Sequence, residues 1–436
     1  MNPLRRLGIV RELRRRLYGM SREDLARHQR SAFSELWSFV RKNSAYYRRR
    51  YPEAVNLEEI LPCSRGEFSE NFNDINTAGL DRNELAEFRI REERKGRTGY
   101  FRGRYSVGLS SGTTGSRLLT VLSKEERDLY SCLLWSRSGL PPGIRSPRVL
   151  FALRTHNPTF TEIGVFGVRM VYVDYTHPPE ELAELINRKR LNILAGPPSL
   201  LLMLARHHDK IECAIDALVS YAEVLDDAAK ARLERTFGAP VVQIYQGAEG
   251  FLGSTCRCGN LHLNEDVVHV EPLGDPAAGP VQVLVTDLYR RTQPMIRYRM
   301  DDFLELSDEP CPCGSAFRRI RRIHGRADDV FVLLDEKGRP RYLFPDYVRR
   351  SINQASDDIL EYQAIQHSTD LIEIRLSLDE GSDRSRIERA ILENLVWRAG
   401  QIGANLGTVG FSGDAPERNP NSLKWIRVNR RFPWNF

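Results

Sequence analysis

Between residues 149 and 245, short apolar runs alternate with segments of helical periodicity, and this alternation limits the folds open to the chain. The apolar runs cover residues 149–153, 170–173, 192–195, 218–221 and 241–245. Segments that suit helices lie between them at 179–189, 198–208 and 226–237. Buried strands that alternate with helices are typical of a largely parallel sheet with helices on its faces. The sequence therefore predicts an α/β fold with a layered domain.

After about residue 255 the pattern changes to short strands separated by turn residues. Strands predicted at 267–272, 281–286 and 303–306 indicate a β-rich subdomain over about 255–325. A hairpin with a turn at 335–338 follows, and then helices and strands alternate again. We predict a large N-terminal domain of residues 1–326, which includes this subdomain, and a small α+β domain of residues 327–436.

The composition is that of a globular chain without a membrane span. Of 436 residues, 41% are hydrophobic and 28% are charged. No apolar run approaches the roughly 20 residues that cross a bilayer. The N-terminus is basic but lacks the apolar core of a secretory signal. Seven cysteines do not suggest a disulfide framework in a chain of this length, so we expect a reducing, cytoplasmic location.

Residues 1–53 are strongly basic, with 14 Lys or Arg against 5 Asp or Glu. A basic arm can bind nucleic acid or anionic lipid. However, Leu7, Val10, Leu13 and Leu17 recur at helical spacing among the arginines. We interpret the region as amphipathic helices with solvated basic faces, and we expect no nucleic-acid partner.

A turn rich in hydroxyl groups and glycine follows a short predicted strand at about residue 105. The turn consists of Ser110, Ser111, Gly112, Thr113, Thr114 and Gly115. Glycines let backbone N–H groups converge on an anion, and hydroxyls add neutral donors. No lysine follows Gly115, so the pattern is not that of a P-loop. The turn is either a phosphate-binding loop or a polar surface turn.

Four later stretches carry side chains suited to a nucleotide. Glu249 follows the strand at 241–245 and is flanked by glycines, at the sheet edge where α/β folds bind ligands and where a carboxylate can hold Mg²⁺. Asp302 follows Arg-Tyr-Arg at 297–299 and can accept bonds from a ribose diol. Arg326 and Lys424 lie in the stretches 323–329 and 422–428. Taken singly, each residue also fits a solvated loop or turn.

In order, the turn and these four stretches resemble the motif series of the adenylate-forming superfamily of acyl- and aryl-CoA ligases. The resemblance runs from about residue 105 to 335. It is closest to the phenylacetate–CoA ligase branch and to the adenylating enzymes of capsule and phenazine pathways. It implies ATP- and Mg-dependent adenylation of a small, aromatic or cyclic carboxylic acid with release of pyrophosphate. The acyl group would then pass to CoA, an amine or a carrier-protein thiol.

The resemblance also implies roles for residues. The turn at 110–115 becomes the phosphate loop, and Lys424 becomes the catalytic lysine brought in by the small domain. Glu249 would help to hold Mg²⁺, Asp302 the ribose, and Arg326 the ribose and phosphate. Asp328 or Asp329 would be the hinge. The adenine and acyl pockets would be walled by Tyr221, Ala222, Glu223, Tyr245, Gln246, Gly247 and Ala248.

The sequence departs from the pattern of these relatives at two informative places. Ala248 stands where most members have a threonine before the glutamate, which removes one hydroxyl from the nucleotide site. A charged hairpin turn at 335–338 replaces a glycine and Val-x-Pro pattern in a region that faces the thiol in CoA ligases. This second departure weakens the expectation of CoA more than that of adenylation.

Two Cys-x-Cys pairs suggest a metal. Cys256 and Cys258 lie upstream of Cys311 and Cys313, and His262 lies six residues after Cys256. Thiolates from two turns suit tetrahedral Zn²⁺. Five candidates compete for four places. Resemblance to phenylacetate-type ligases favours Cys256, His262, Cys311 and Cys313, with Cys258 as the alternative fourth ligand. Free buried cysteines are the other interpretation.

Three further functions are compatible with parts of the sequence. The first is adenylation of another small oxyacid, such as nitrite, for coupling to an amine. The second is a zinc-containing nucleic-acid-binding protein. The third is a scaffold that keeps the fold without turnover. The sequence leaves open the acid, the acceptor and whether the chain forms a homodimer.

Overall fold

The computed structural model describes residues 2–94, 99–109, 118–140, 144, 146–152, 168–173, 177–418 and 425–434. The chain begins with helices, and those predicted for residues 1–50 are α1 (Pro3–Gly19), α2 (Arg22–Asn43) and α3 (Ala45–Arg50). Three shorter or later helices follow, which are α4 (Arg65–Glu70), α5 (Phe72–Ile75) and α6 (Arg82–Arg94). On α2, Ser21 and Asp24 form a capping box at the N-terminus. The helix buries Leu25, Phe33, Leu36, Trp37 and Val40, which follow the period of one helical face.

An antiparallel hairpin and a helix come next. Strands β1 (Ser106–Leu109) and β2 (Leu119–Leu122) pair, with Leu109 opposite Leu119. Helix α7 (Lys124–Ser136) begins at Ser123, and the predicted capping box between Ser123 and Glu126 is present.

The predicted alternation of strands and helices is confirmed. Its elements are β3 (Arg148–Ala152), β4 (Arg169–Val173), α8 (Pro179–Lys189), β5 (Ile193–Gly196), α9 (Pro198–Arg206), β6 (Ala217–Ser220), α10 (Asp227–Phe237) and β7 (Val241–Gly247). Strands β4, β3, β5, β6 and β7 pair in parallel in that order. The parallel strands are nearly continuous apolar runs, since both faces of such a sheet are covered.

The following strands are antiparallel. They are β8 (Gly250–Thr255), β9 (Leu261–Leu263), β10 (Val268–Leu273), β11 (Gln282–Asp287), β12 (Tyr298–Arg299), β13 (Asp302–Ser307) and β14 (Arg319–Arg326). Strands β10, β11 and β12 form a small sheet, which agrees with the strands predicted at 267–272 and 281–286.

The strand predicted at 303–306 is confirmed as part of β13, which lies at the edge of the large sheet. Among the described residues the large sheet has nine strands in the order β13-β14-β9-β8-β7-β6-β5-β3-β4. The tight turn between β7 and β8 reverses the chain, so the sheet continues with antiparallel strands, and β14 supplies a long partner for β13.

The last elements form a separate unit. They are β15 (Phe331–Leu334), β16 (Pro340–Leu343), α11 (Pro345–Asn353), β17 (Ile359–Ser368), β18 (Leu371–Leu378), α12 (Arg384–Gln401), β19 (Thr408–Ser412) and β20 (Val428–Arg430). One cluster of buried apolar side chains, from Phe331 to Val428, is drawn from this unit alone. This separate core supports the proposed small domain after residue 326. Across the described ranges, every helix is too short or too polar to cross a bilayer.

Candidate functional site

Three predicted nucleotide-binding residues, on β7, β13 and β14 of the large sheet, lie close together. Asp302 at the start of β13 is directly opposite Arg326 at the end of β14. The hydroxyl of Tyr245 on β7 donates to Oδ2 of Asp302 at 2.8 Å. Nε of Arg326 lies 4.0 Å from Oδ1 of the same carboxylate. The pairing of β13 with β14 thus brings Asp302 and Arg326 together, and a hydrogen bond adds Tyr245, which lies 57 positions before Asp302.

Three carboxylates at this place, those of Asp302, Glu249 and Asp329, have raised pKa values. Burial raises the pKa of Asp302, while Arg326 and the hydrogen bond from Tyr245 lower it. Burial, reinforced by the charge of Asp302, also raises the pKa of Glu249. Burial raises the pKa of Asp329 to about 6, against the charge of Arg326. Burial disfavours the ionised forms of these carboxylates. A divalent cation would favour the ionised forms, so the site suits such a cation.

A cleft of about 560 Å³ opens beside these residues and separates the large unit from the small one. On the large side it is lined by Glu223, Tyr245, Gln246, Asp302 and Arg326, among others. On the small side it is lined by residues that include Arg349, Trp425 and Arg427. Two more residues predicted to line the pocket follow Gln246 in sequence. Gly247 is the last residue of β7, and Ala248 lies in the turn to β8 that also carries Glu249.

The cleft wall includes a strained backbone. Ala222, at the end of β6, has a φ of +68° in the left-handed region, which a residue with a Cβ rarely adopts. Its neighbour Glu223 accepts from the backbone N–H of Ser199 at 3.2 Å and from its hydroxyl at 3.0 Å. Glu223 is therefore held at the N-terminus of α9, where a negative charge is stabilised.

Arg290 and Gln293 link the turn of Glu249 to the hairpin that flanks the predicted phosphate loop. Arg290 donates to the carbonyl of Ala248 at 2.8 Å and to Oε1 of Gln293 at 2.5 Å. Gln293 also accepts from the N–H of Val121 and donates to the carbonyl of Leu119, both on β2. The predicted loop, Ser110 to Gly115, lies outside the described residues, but the strand after it is tied to the Glu249 turn.

The second predicted centre is a cysteine and histidine cluster between β8, β9 and the turn before β14. The ligand atoms of Cys256, His262, Cys311 and Cys313 all lie within 4.8 Å of one another, and all four residues are buried. Sγ of Cys256 is 3.8 Å from Sγ of Cys311, and Sγ of Cys313 is 3.7 Å from Nε2 of His262. Zinc with Zn–S bonds of about 2.3 Å separates two tetrahedral sulfurs by about 3.8 Å. The four side chains fit such an ion.

The surroundings of the cluster also suit a metal. Nδ1 of His262 lies 2.7 Å from the carbonyl of Phe317, so that nitrogen carries the proton and Nε2 is left for a metal. Backbone N–H groups of Cys258 and Ser315 donate to the sulfurs of Cys256 and Cys313 at 3.4 Å. The side chain of Cys258 is exposed and outside the cluster, so the structure favours His262 as the fourth member.

Comparisons with known proteins agree with the fold and with the resemblance to CoA ligases. No family model matches the chain. Protein CapK of Staphylococcus aureus is 23% identical over 398 residues, covering 86% of this chain and 84% of that protein. Phenylacetate-coenzyme A ligase of Thermus thermophilus is 25% identical over 300 residues, or 63% of this chain and 66% of that protein. A crystal structure of 2-hydroxyisobutyryl-CoA ligase in the postadenylation state superposes with a TM-score of 0.69 at 17% identity, covering 91% of this chain and 88% of that one.

The sequence is thus similar to that of CapK and of a phenylacetate-coenzyme A ligase, and the fold is similar to that of 2-hydroxyisobutyryl-CoA ligase. The predicted catalytic residue Lys424 lies outside the described residues, and its role stays a prediction. Trp425, the next residue in sequence, lines the cleft, and Arg427 contacts Glu223 across it. The segment that follows Lys424 therefore borders the cleft.

The predicted hinge is a short 3₁₀ helix, Ala327–Asp329, between β14 and β15. Asp328 is exposed and Asp329 is half-buried. Just before it, Gly325 has a φ of +106°, and a Cβ there would lie 3.0 Å from Cβ of Pro345 on α11. The predicted hinge is thus preceded by a glycine that is required both by its backbone angle and by a close approach.

Sequence reasoning gave no role to Arg290, Gln293 or Arg427. Gln293 falls inside the range from about residue 105 to 335 over which the sequence resembles the superfamily, but no motif named above includes it. Arg290 and Arg427 are single arginines in an arginine-rich chain. Only their burial and their partners distinguish them.

Proposed function

We propose that this chain is an ATP- and Mg-dependent ligase that converts a small carboxylic acid to its acyl-adenylate and then passes the acyl group to CoA. The observation that carries the proposal is the meeting of Tyr245, Asp302 and Arg326 beside one cleft, next to the turn of Glu249. The names of the similar proteins, which include CoA ligases, support the second step.

The first step joins two anions. A carboxylate oxygen of the acid attacks the α-phosphorus of ATP, the bond to the β-phosphate breaks, and pyrophosphate leaves. Asp302 would accept bonds from the ribose hydroxyls, with Tyr245 holding the carboxylate in place. Arg326 would offset the negative charge of the phosphate. Glu249 would hold Mg²⁺, which supplies charge neutralisation at the phosphates when bound.

In the second step the thiol sulfur of CoA attacks the acyl carbonyl, the thiol proton is lost to solvent or base, and AMP leaves. The charged turn at 335–338 does not argue against CoA. Asp335 accepts from Arg339 at 2.8 Å and Arg341 at 3.0 Å, so much of its charge is neutralised within the hairpin. An amine or a carrier-protein thiol as acceptor is an outcome that the experiment below distinguishes.

We also infer that Cys256, His262, Cys311 and Cys313 hold a structural zinc. Four protein ligands leave no open position for chemistry. The ion would fasten β8 and β9 to the turn before β14, and so would support the sheet that carries Arg326.

The test of the main proposal is ATP–pyrophosphate exchange across a panel of acids. The panel contains phenylacetate, benzoate, 2-hydroxyisobutyrate and nitrite. We expect exchange with at least one carboxylate, and thioester formation when CoA is added to that reaction. Exchange with nitrite alone would show that the substrate is another oxyacid and not a carboxylic acid. No exchange with any acid at millimolar concentration would refute the proposal.

A pair of lysine variants sharpens the test. Lys424→Ala is expected to abolish exchange while ATP still binds, because the residue is predicted to act on the developing charge. Lys337→Ala is the matched control, since it removes an exposed lysine from the hairpin of the same domain. Equal exchange in both variants would show that Lys424 is not the catalytic lysine.

A further inference from the structure

Arg427 lies between two carboxylates that belong to different units of the chain. It precedes β20 and follows Lys424 by three positions. Its Nη2 and Nε contact Glu361 on β17 at 2.5 and 3.2 Å, which makes a bidentate pair within the small unit. Its Nη1 lies 3.4 Å from Oε2 of Glu223 on the large unit. A planar guanidinium is suited to bridging two carboxylates in this way.

The bridge is shielded from solvent. The side chains of Arg427, Glu223 and Glu361 are 16%, 14% and 15% exposed. The two carboxylates raise the pKa of Arg427 against the opposing effect of burial. Removing one partner of a mostly desolvated charge pair is strongly destabilising, because the remaining charge is left buried without a partner.

The bridge ends on a helix of the large unit. Glu223 is bonded to Ser199 in the first turn of α9. At the other end of α9, Arg206 donates to the carbonyls of Ile359 and Leu360 at 2.7 and 3.2 Å, at the start of β17. The small unit is therefore linked to α9 at both helix ends, through Glu223 at the N-terminus and directly through Arg206 at the C-terminus.

Resting on the proposed function, we propose that Arg427 is a positioning residue for adenylation. It fixes the segment after Lys424 against Glu223 at the rim of the nucleotide cleft. Arg427 holds the small unit in place through its ion pairs with Glu223 and Glu361, and it does not contact the reacting atoms. The backbone of this segment is fixed on its other side, because the N–H of Ala364 on β17 donates to the carbonyl of Arg427 at 2.8 Å.

The first test needs no substrate. Hydrogen–deuterium exchange is measured on the full chain alone, for wild type and for Arg427→Gln. The variant is expected to exchange faster in peptides that cover 198–206 and 359–362. Arg430→Gln is the matched control, because Arg430 donates to carbonyls of Val330 and Phe432 near the same strand. Unchanged exchange in these peptides would overturn the docking role, whatever the enzyme activity.

The second test separates the half-reactions, with the acid that gives the strongest exchange in wild type. Arg427→Gln is expected to slow ATP–pyrophosphate exchange at least about tenfold, and to leave transfer to CoA from a synthetic acyl-adenylate within about twofold. An equal loss in both half-reactions would mark Arg427 as merely structural. Arg427→Lys, which keeps the charge without the fork, is expected to recover part of the exchange rate.

A double-mutant cycle identifies the partner. If Glu223 acts through Arg427, Glu223→Gln slows exchange in wild type but causes no further loss in Arg427→Gln. Losses that multiply would mean that Glu223 acts on the nucleotide directly, and would overturn the bridge. A wild type without exchange for any acid would refute the proposed function, and the deuterium measurement would still decide the docking role.

Discussion

Replacing Cys313 by serine is the sharpest test of the metal centre. Cys313 is fully buried, and its sulfur lies 3.7 Å from Nε2 of His262. Cys256 and Cys311 are 55 positions apart, so a bound ion closes a long loop. Treated as a covalent crosslink, closure of such a loop is worth about 4 kcal/mol. A chain of 436 residues unfolds with an entropy of about 0.9 kcal/mol/K, so losing the ion should lower Tm by about 5 °C.

The assay is zinc content of the purified protein together with thermal unfolding. We expect about one zinc per wild-type chain, and well under half of that in Cys313→Ser. Cys258→Ser should keep its zinc and its Tm, because Cys258 is exposed and outside the cluster. Cys132→Ser, a buried thiol elsewhere, measures the cost of the sulfur-to-oxygen change alone. Wild type without zinc, or equal loss of zinc in Cys258→Ser, would refute the reasoning.

Three further predictions follow from the geometry. Asp302→Asn should weaken AMP binding about tenfold or more, since a charged acceptor for the ribose is lost; calorimetric titration with an unchanged Kd would contradict this role. Arg137→Met should lower the free energy of unfolding by about 3–5 kcal/mol, because the fully buried carboxylate of Asp266 would lose its charged partner. Urea unfolding measures this loss, and the second substitution Asp266→Leu should recover part of it. Burial raises the pKa of Asp287 to about 6, so its protonated form contributes stability that is present below about pH 4 and lost as pH rises through 6. Asp287→Asn should therefore flatten the pH dependence of unfolding between pH 4 and 7, and an unchanged slope would count against the buried carboxyl.

Local patterns predicted the elements well because they depend on neighbours in sequence. The helix predicted at 179–189 is α8 at the same residues, and the capping box at Ser123 and Glu126 is present. The hairpin around 335–338 is also present as β15 and β16. Periodicity and capping reach only a few positions along the chain, so one stretch is enough to establish them.

Pairing between strands that lie far apart in the sequence was harder to predict. The strand predicted at 303–306 is present as β13, and its partner in the large sheet is β14. The residues of β13 do not specify that partner, because an antiparallel strand of this length fits the edge of either sheet. The roles of Lys424 and of Ser110 to Gly115 stay predictions from the motif order, since these residues lie outside the described ranges.

The sequence by itself determined the α/β class, the ordered motifs that resemble those of the adenylate-forming superfamily, and the supply of cysteines for a metal. These follow from residue types and their spacing. Only the tertiary structure decided which side chains meet. It placed His262 with three cysteines and left Cys258 outside, and it set Arg427 between Glu223 and Glu361. The physical reason is that ligand sets and charge bridges depend on strand register and domain packing, which join segments far apart in sequence.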